Sequence, residues 1–284
     1  MNETLETKNI YSGAPEALTP LKFLNGVACK SKKLLFVVIA YMVSLASSFI
    51  GFFGIKVGFS STVVQFIELF SQNLDTESAE ALTNISAIAS ALDAAFLGIA
   101  VIVLLPAILT AVGALLIYLG AKKENPDMAY NGTLLLRILF TFHTVVCALG
   151  IAFIVIALLA ATNDEPAIIV FAVIAGVILL VPLSVAASYY GKLTQMFRGL
   201  GKSVRTDINV LKVSSLVTVI NWISAIIGII SAVTTIGSTS LLGISNLLSA
   251  IALIIVTMIF SDYKNEFGNP TKENIKAAKE YVKY

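Results

Sequence analysis

Apolar residues in this chain occur in long runs that charged residues do not interrupt. A helix needs about 20 residues to cross about 30 Å of hydrocarbon, because each residue adds about 1.5 Å. Six stretches are long enough, and none of them contains an Asp, Glu, Lys or Arg. The pattern therefore predicts an all-α polytopic integral membrane protein. Its six transmembrane helices are expected near 34–55, 96–118, 138–161, 167–190, 213–233 and 241–260.

The connections between the predicted spans differ in length. Spans three and four are joined only by 162–166, and spans five and six by 234–240. Connections this short make neighbouring helices antiparallel, and we expect the six spans to form three antiparallel hairpins. A longer outer segment, 57–95, separates the first two spans and has apolar residues at helical spacing. It is expected to be amphipathic and either to pack on the bundle as a lid or to rest in the outer leaflet. The alternative is a docking surface for a partner or ligand.

Composition agrees with the membrane class. Hydrophobic residues make up 57% of the chain, charged residues only 13%, and the mean hydropathy is +0.91. Water-soluble globular proteins have far more charge and lower hydropathy. Soluble enzyme folds, disulfide scaffolds and nucleic-acid-binding proteins are therefore excluded. The short loops and the preference for Lys over Arg are typical of small multi-pass bacterial membrane proteins, and no named family is recognised.

Charge predicts the orientation of the spans. All of the 19 Lys and Arg residues except Lys56 lie on one side of the predicted membrane. Basic residues are retained in the cytoplasm, so both termini are expected there, in a cell membrane of bacterial cytoplasmic type. The basic stretch before Leu34 and the length of the run that follows predict an uncleaved anchor. The expected organisation is a cytoplasmic segment 1–33, a six-helix domain 34–260 and a basic amphipathic tail 261–284.

Two segments on the predicted cytoplasmic side combine an apolar stripe with basic side chains. Between spans four and five, Leu193, Met196, Phe197 and Leu200 form a stripe that is expected to lie against the bilayer. The tail after Pro270 has the same pattern and is predicted to be helical. Contact with anionic lipid is expected, and a cytosolic protein partner is the alternative. The basic residues concerned are Lys192, Arg198, Lys202, Arg205, Lys272, Lys276, Lys279 and Lys283.

Few side chains in the predicted spans are suited to chemistry. The spans contain no carboxylate, one imidazole, His143, and one thiol, Cys147. Nucleophilic, acid–base and metal chemistry each need several such groups close together, so we expect no enzyme activity, cofactor or metal. His143 is expected to bond a backbone carbonyl or a tyrosine hydroxyl. A proton relay through His143 is the alternative.

These features favour two non-enzymatic functions. The first is an accessory, scaffold or interaction subunit of the cytoplasmic membrane, with a membrane protein or a second copy of the chain as partner. The alternative is a small secondary transporter or channel for an apolar or weakly polar substrate, because interrupted helices can expose backbone groups within the membrane. Prolines and a buried amide in membrane helices also suit ordinary helix packing. The candidate pathway residues are Pro106, His143, Pro182, Asn221 and Trp222.

Overall fold

The structure is a computed structural model that describes residues 18–50, 104–160, 166–236 and 240–281. This part of the chain is helical and contains no strand. Six of its helices are long and apolar enough to cross a membrane, which confirms the predicted all-α class with six candidate spans. The outer segment 57–95 and Lys283 lie outside the described residues. The helices are α1 (Pro20–Cys29), α2 (Lys33–Ile50), α3 (Leu104–Lys122), α4 (Pro126–Ala160), α5 (Pro166–Thr206), α6 (Ser215–Ile236), α7 (Ser240–Phe267) and α8 (Lys272–Tyr281).

Polar caps and tight turns set several helix ends. Thr19 is the N-cap of α1, and its hydroxyl accepts a hydrogen bond of 3.4 Å from the backbone N–H three residues later. At α4 the side-chain oxygen of Asn125 accepts a hydrogen bond of 2.9 Å from the backbone N–H three residues later. Pro126 takes the first helical position, where its missing N–H costs nothing. The turns after α1, α3 and α5 each place one residue in the left-handed region, namely Lys32, Glu124 and Asp207.

The two longest helices, α4 and α5, pack against each other in opposite directions. Leu183 of α5 covers Gly150 of α4, and Leu158 of α4 covers Gly176 of α5. Each glycine leaves the space that the leucine side chain fills, so the two axes approach closely. Helices α6 and α7 form a second pair with extensive mutual contact.

Helix α2 is fixed to α7 by polar contacts. The Lys33 Nζ atom lies 2.6 Å from Asp262 Oδ2, and Ser249 Oγ donates to Ser44 Oγ at 3.1 Å. Lipid tails are as apolar as leucine, so contacts of this kind and close packing are what hold helices together in a bilayer.

Helices α3 and α4 approach until their backbones touch. A Cβ atom at Gly132 of α4 would lie 2.6 Å from the carbonyl oxygen of Gly113 and 2.7 Å from the backbone nitrogen of Ile117. No side chain fits at that distance without moving one helix. Ala129 is fully buried one turn earlier, where it faces Gly120.

The larger of the buried clusters lies where α1, the α3–α4 turn, residues 207–214 and the end of α7 meet, and we call this region the basic end. Here the helices extend beyond the predicted spans. Helix α4 begins at Pro126 instead of near 138, α5 continues to Thr206 instead of ending near 190, and α7 runs to Phe267. The tail after Pro270 forms α8, as its periodicity predicts.

The stripe that was expected to lie against the bilayer lies inside the protein. It forms the last turns of α5, where it packs with residues of α1, α7 and the 207–214 loop in one buried cluster. That placement was therefore wrong, because an apolar stripe fits a protein interior as well as it fits lipid. The four buried residues are Leu193, Met196, Phe197 and Leu200, each at most 7% exposed.

Candidate functional site

A cavity of about 100 Å³ lies inside the bundle beside the buried cluster of the basic end. Its walls come from α1 to α7 and are almost entirely aliphatic and aromatic. Tyr41 of α2, Ala114 of α3 and Phe140 of α4 contribute three of its sides. An apolar cavity of this order stays dry and accepts small apolar molecules. The cavity is therefore suited to binding and is the first candidate site.

A hydrogen-bonded chain of side chains joins three helices at the wall of the cavity. The Tyr189 hydroxyl donates to Asn221 Oδ1 at 2.6 Å, and Asn221 Nδ2 donates to Thr257 Oγ1 at 3.0 Å. The Thr257 hydroxyl in turn donates a hydrogen bond of 2.7 Å to the carbonyl oxygen of Leu253. Asn221 is 2% exposed, so its amide has exchanged water for these partners. These hydrogen bonds connect α5, α6 and α7 beside the cavity.

Aromatic side chains and α1 close the cavity at the basic end. Tyr263 is buried, and its hydroxyl donates to Asn209 Oδ1 at 3.2 Å. The ring of Phe23 from α1 stands edge-on to Tyr263, with centroids 5.4 Å apart. Helix α1 is itself held by Asn25, whose Nδ2 donates to the carbonyl of Ala121 at 3.0 Å. The N-terminal helix therefore belongs to the bundle.

Of the five predicted pathway residues, only Asn221 lines this cavity. Trp222 is 44% exposed on the outer surface of α6, and Pro182 is exposed on α5. Pro106 is half-buried, and its carbonyl accepts a hydrogen bond of 2.8 Å from the hydroxyl of Thr110. The structure therefore does not gather these residues around one cavity.

His143 is half-buried on α4 and has local partners. Its Nδ1 atom lies 2.9 Å from the carbonyl oxygen of Leu139, one turn earlier. Its ring packs against Tyr190 of α5, with centroids 4.9 Å apart. The contact with Leu139 therefore gives one ring nitrogen a partner within its own helix.

The predicted lipid-contacting cations have different surroundings. Arg205 lies 3.6 Å from Asp127 and over the ring of Tyr130 at 5.1 Å. Arg198, Lys202 and Lys279 line a cavity between α5 and α8. Lys192, Lys272 and Lys276 are exposed on the surface.

Sequence reasoning did not select Tyr41, Tyr189 or Arg137 as site residues. Tyr189 lies beside Tyr190 and Lys192, and aromatic and basic residues in that order are typical of any helix that ends at a membrane surface. Tyr41 lies within an apolar run with nothing polar beside it. Which residues face the same cavity depends on helix register, which no single run of sequence specifies.

None of the described residues that line the central cavity carries a carboxylate, imidazole, thiol or amine. Elsewhere in the described ranges, no three His, Cys, Asp or Glu side chains gather where they could hold a metal ion. The central site therefore offers dispersion contacts and hydroxyl and amide hydrogen bonds, the means of binding apolar or weakly polar molecules.

Six helices of this length and hydropathy fit the class of multi-pass membrane proteins. Beyond that class, the chain matches no family model, no curated protein and no solved structure.

Proposed function

We propose that this chain is a non-enzymatic integral protein of a cytoplasmic membrane and acts as an accessory or interaction subunit. Both termini lie in the cytoplasm, and anionic lipid contacts the basic end. The partner is a membrane protein or a second copy of the chain.

Charge supports this orientation. Lys33, Lys123, Lys202 and Lys264 come from four different parts of the chain, and all belong to the basic end or border it. Such clustering is what the retention of cations on the cytoplasmic side produces.

The proposal rests mainly on an exposed pair of helix segments, residues 145–160 of α4 and 173–185 of α5. We call this pair the exposed arm. The most apolar 18-residue window of α4 contains no buried residue, whereas 39% of the corresponding window in α3 or α7 is buried. Phe153 is 73% exposed and Ile156 65%. The described part of the chain thus leaves this helix pair largely uncovered, available to lipid or to helices of another subunit.

Small residues on the arm favour a protein partner. Ala148 and Ala152 are both exposed and lie four residues apart on α4. Small residues at this spacing let a second helix approach closely, and close packing is a main source of affinity between helices in lipid.

A second candidate, a small transporter or channel for an apolar or weakly polar substrate, is favoured by the central cavity. The cavity is apolar, has the Tyr189–Asn221 pair at its wall and lies among seven helices. These properties suit a small molecule with one hydrogen-bonding group.

Native mass spectrometry of the full-length protein, released gently from its own membrane, tests the proposal. We expect a stoichiometric protein partner or a homodimer, and we expect the Ala148→Leu/Ala152→Leu variant to lose it because leucine blocks close approach. Ala46→Leu, an exposed alanine of α2, is the matched control and should keep the complex.

A lone chain that holds one reproducible small molecule would contradict the interaction proposal and support the transporter. In that case Ala114→Leu, which adds its extra carbon atoms inside the cavity, should lose the molecule, whereas Ala46→Leu should retain it. A lone chain with nothing bound would contradict both functions.

A further inference from the structure

We propose that Arg137, Arg198, Lys202 and Lys279 form a binding site for the phosphate headgroup of an anionic phospholipid. The four cations come from α4, α5 and α8. The site is separate from the central cavity, which none of them lines. The inference rests on the proposed cytoplasmic orientation of the basic end, and it adds a specific lipid site to that proposal.

Two neighbouring cavities define the site. One, of about 210 Å³, lies between α5 and α8 and is lined by Arg198, Lys202 and Lys279. The other, of about 30 Å³, lies between α4 and α5 and is lined by Arg137 together with the same Arg198 and Lys202. Because both cavities share two cations, one group of positive charge spans three helices.

Helix α8 is positioned by apolar contacts. Ala278 is 3% exposed, and it lines the larger cavity together with Ile275. Burying this face directs the next residue, Lys279, toward the cavity that Arg198 and Lys202 also line. Without α8 one wall of the larger cavity would be missing.

The four positive charges lack carboxylate counterions among the residues that the structure describes. Within these ranges, none of them lies within ion-pairing distance of a carboxylate, whereas Arg205 pairs with Asp127 and Lys33 with Asp262. The acidic residues of α8, Glu273 and Glu280, are exposed. Like charges held close together repel one another, so an anion bound among them relieves that repulsion. Guanidinium and ammonium groups are the usual protein ligands of phosphate.

Position along α4 favours a lipid over a free phosphate ion. Arg137 directly precedes the exposed apolar face of α4, which begins with Ile138 and continues with Phe142 and Val145 at spacings of one helical turn. Each of these side chains is about half exposed. A headgroup at Arg137 would place its acyl chains along this face, and basic pockets between membrane helices at the cytoplasmic surface bind lipid headgroups in this way.

The test measures binding of phosphatidylglycerol to the full-length protein in neutral detergent micelles. The Arg198→Gln/Lys202→Gln variant removes the two shared cations. Lys123→Gln/Lys264→Gln, the matched control, removes two exposed cations outside both cavities. We expect the site variant to bind phosphatidylglycerol at least about tenfold more weakly than wild type, because it removes the two cations that line both cavities and would contact the phosphate. The control should bind within about twofold of wild type.

Phosphatidylcholine and inorganic phosphate are the comparison ligands. The proposal expects phosphatidylcholine to bind weakly and inorganic phosphate not to displace phosphatidylglycerol. Equal affinity for the two lipids, or equal weakening in site variant and control, would overturn it. Displacement by millimolar phosphate would also overturn it and assign the site to a free anion.

Folding and orientation are checked separately. Thermal unfolding without added lipid shows whether the double variant folds. If it does not, the single Lys279→Gln variant on exposed α8 replaces it, with an expected loss of about threefold to tenfold, and unchanged binding would overturn the proposal. Micelles have no sides, so a negative result in them leaves the proposed orientation and partner untouched.

Discussion

Gly132→Ala is expected to destabilise the protein strongly, although it adds only one methyl group. The new Cβ would meet the backbone of α3 at Gly113 and Ile117, 2.6 and 2.7 Å away, and a backbone cannot turn aside as a side-chain end can. Helices α3 and α4 must therefore separate. Overpacking of this kind costs about 1–3 kcal/mol. We expect a clear fall in the midpoint of thermal unfolding in detergent.

Gly191→Ala is the matched control for that measurement. Gly191 is also a glycine inside a long helix, but a Cβ there meets only the Cγ2 atom of Thr144, at 4.0 Å. Alanine is favoured over glycine in helices by about 0.5–1 kcal/mol, so this variant should be as stable as wild type or slightly more stable. Equal behaviour of the two variants would show that α3 and α4 are not in backbone contact.

The second large effect is expected at Asn221. Asn221→Leu keeps a similar volume but leaves the half-buried Tyr189 hydroxyl without its acceptor. A buried polar group without a partner costs about 1–3 kcal/mol, and hydrogen bonds between membrane helices average somewhat below that range. We expect a loss of about 1–2 kcal/mol in the free energy of unfolding.

A double-mutant cycle separates this hydrogen bond from packing. Adding Tyr189→Phe to Asn221→Leu removes the unpaired hydroxyl, so the double variant should recover part of the lost stability. Trp222→Leu, on the exposed surface next to Asn221, should stay within about 0.5 kcal/mol of wild type. Additive losses in the double variant would mean that Tyr189 and Asn221 do not interact.

The sequence is sufficient to predict that the chain is helical and has six candidate spans. Uninterrupted apolar runs of this length have few other uses, and the structure contains a long apolar helix at each. Helix ends were harder to predict, because the beginning of α4 and the end of α5 have mixed composition. The start of α4 did have a usable signal, since Asn125 and Pro126 are a typical cap and first residue.

The candidate sites were less predictable than the spans. Asn221 was selected as a pathway residue and does line the central cavity, but its partner Tyr189 resembles any aromatic residue at a membrane surface. Arg198 and Lys202 were among the eight basic residues expected to contact anionic lipid, whereas Arg137 lies far from them in the chain and joins them only when α4 and α5 pack. Such sites arise from helix register, and periodicity within one segment contains no information about its neighbour.

We propose that the six helices cross a membrane with both termini in the cytoplasm. This proposal is tested by labelling single cysteines in intact cells with a membrane-impermeant maleimide, after Cys29→Ser and Cys147→Ser remove the native thiols. We expect a Lys56→Cys variant to be labelled in intact cells and a Lys276→Cys variant to be labelled only after permeabilisation. Labelling of Lys276→Cys in intact cells, with Lys56→Cys protected, would contradict it.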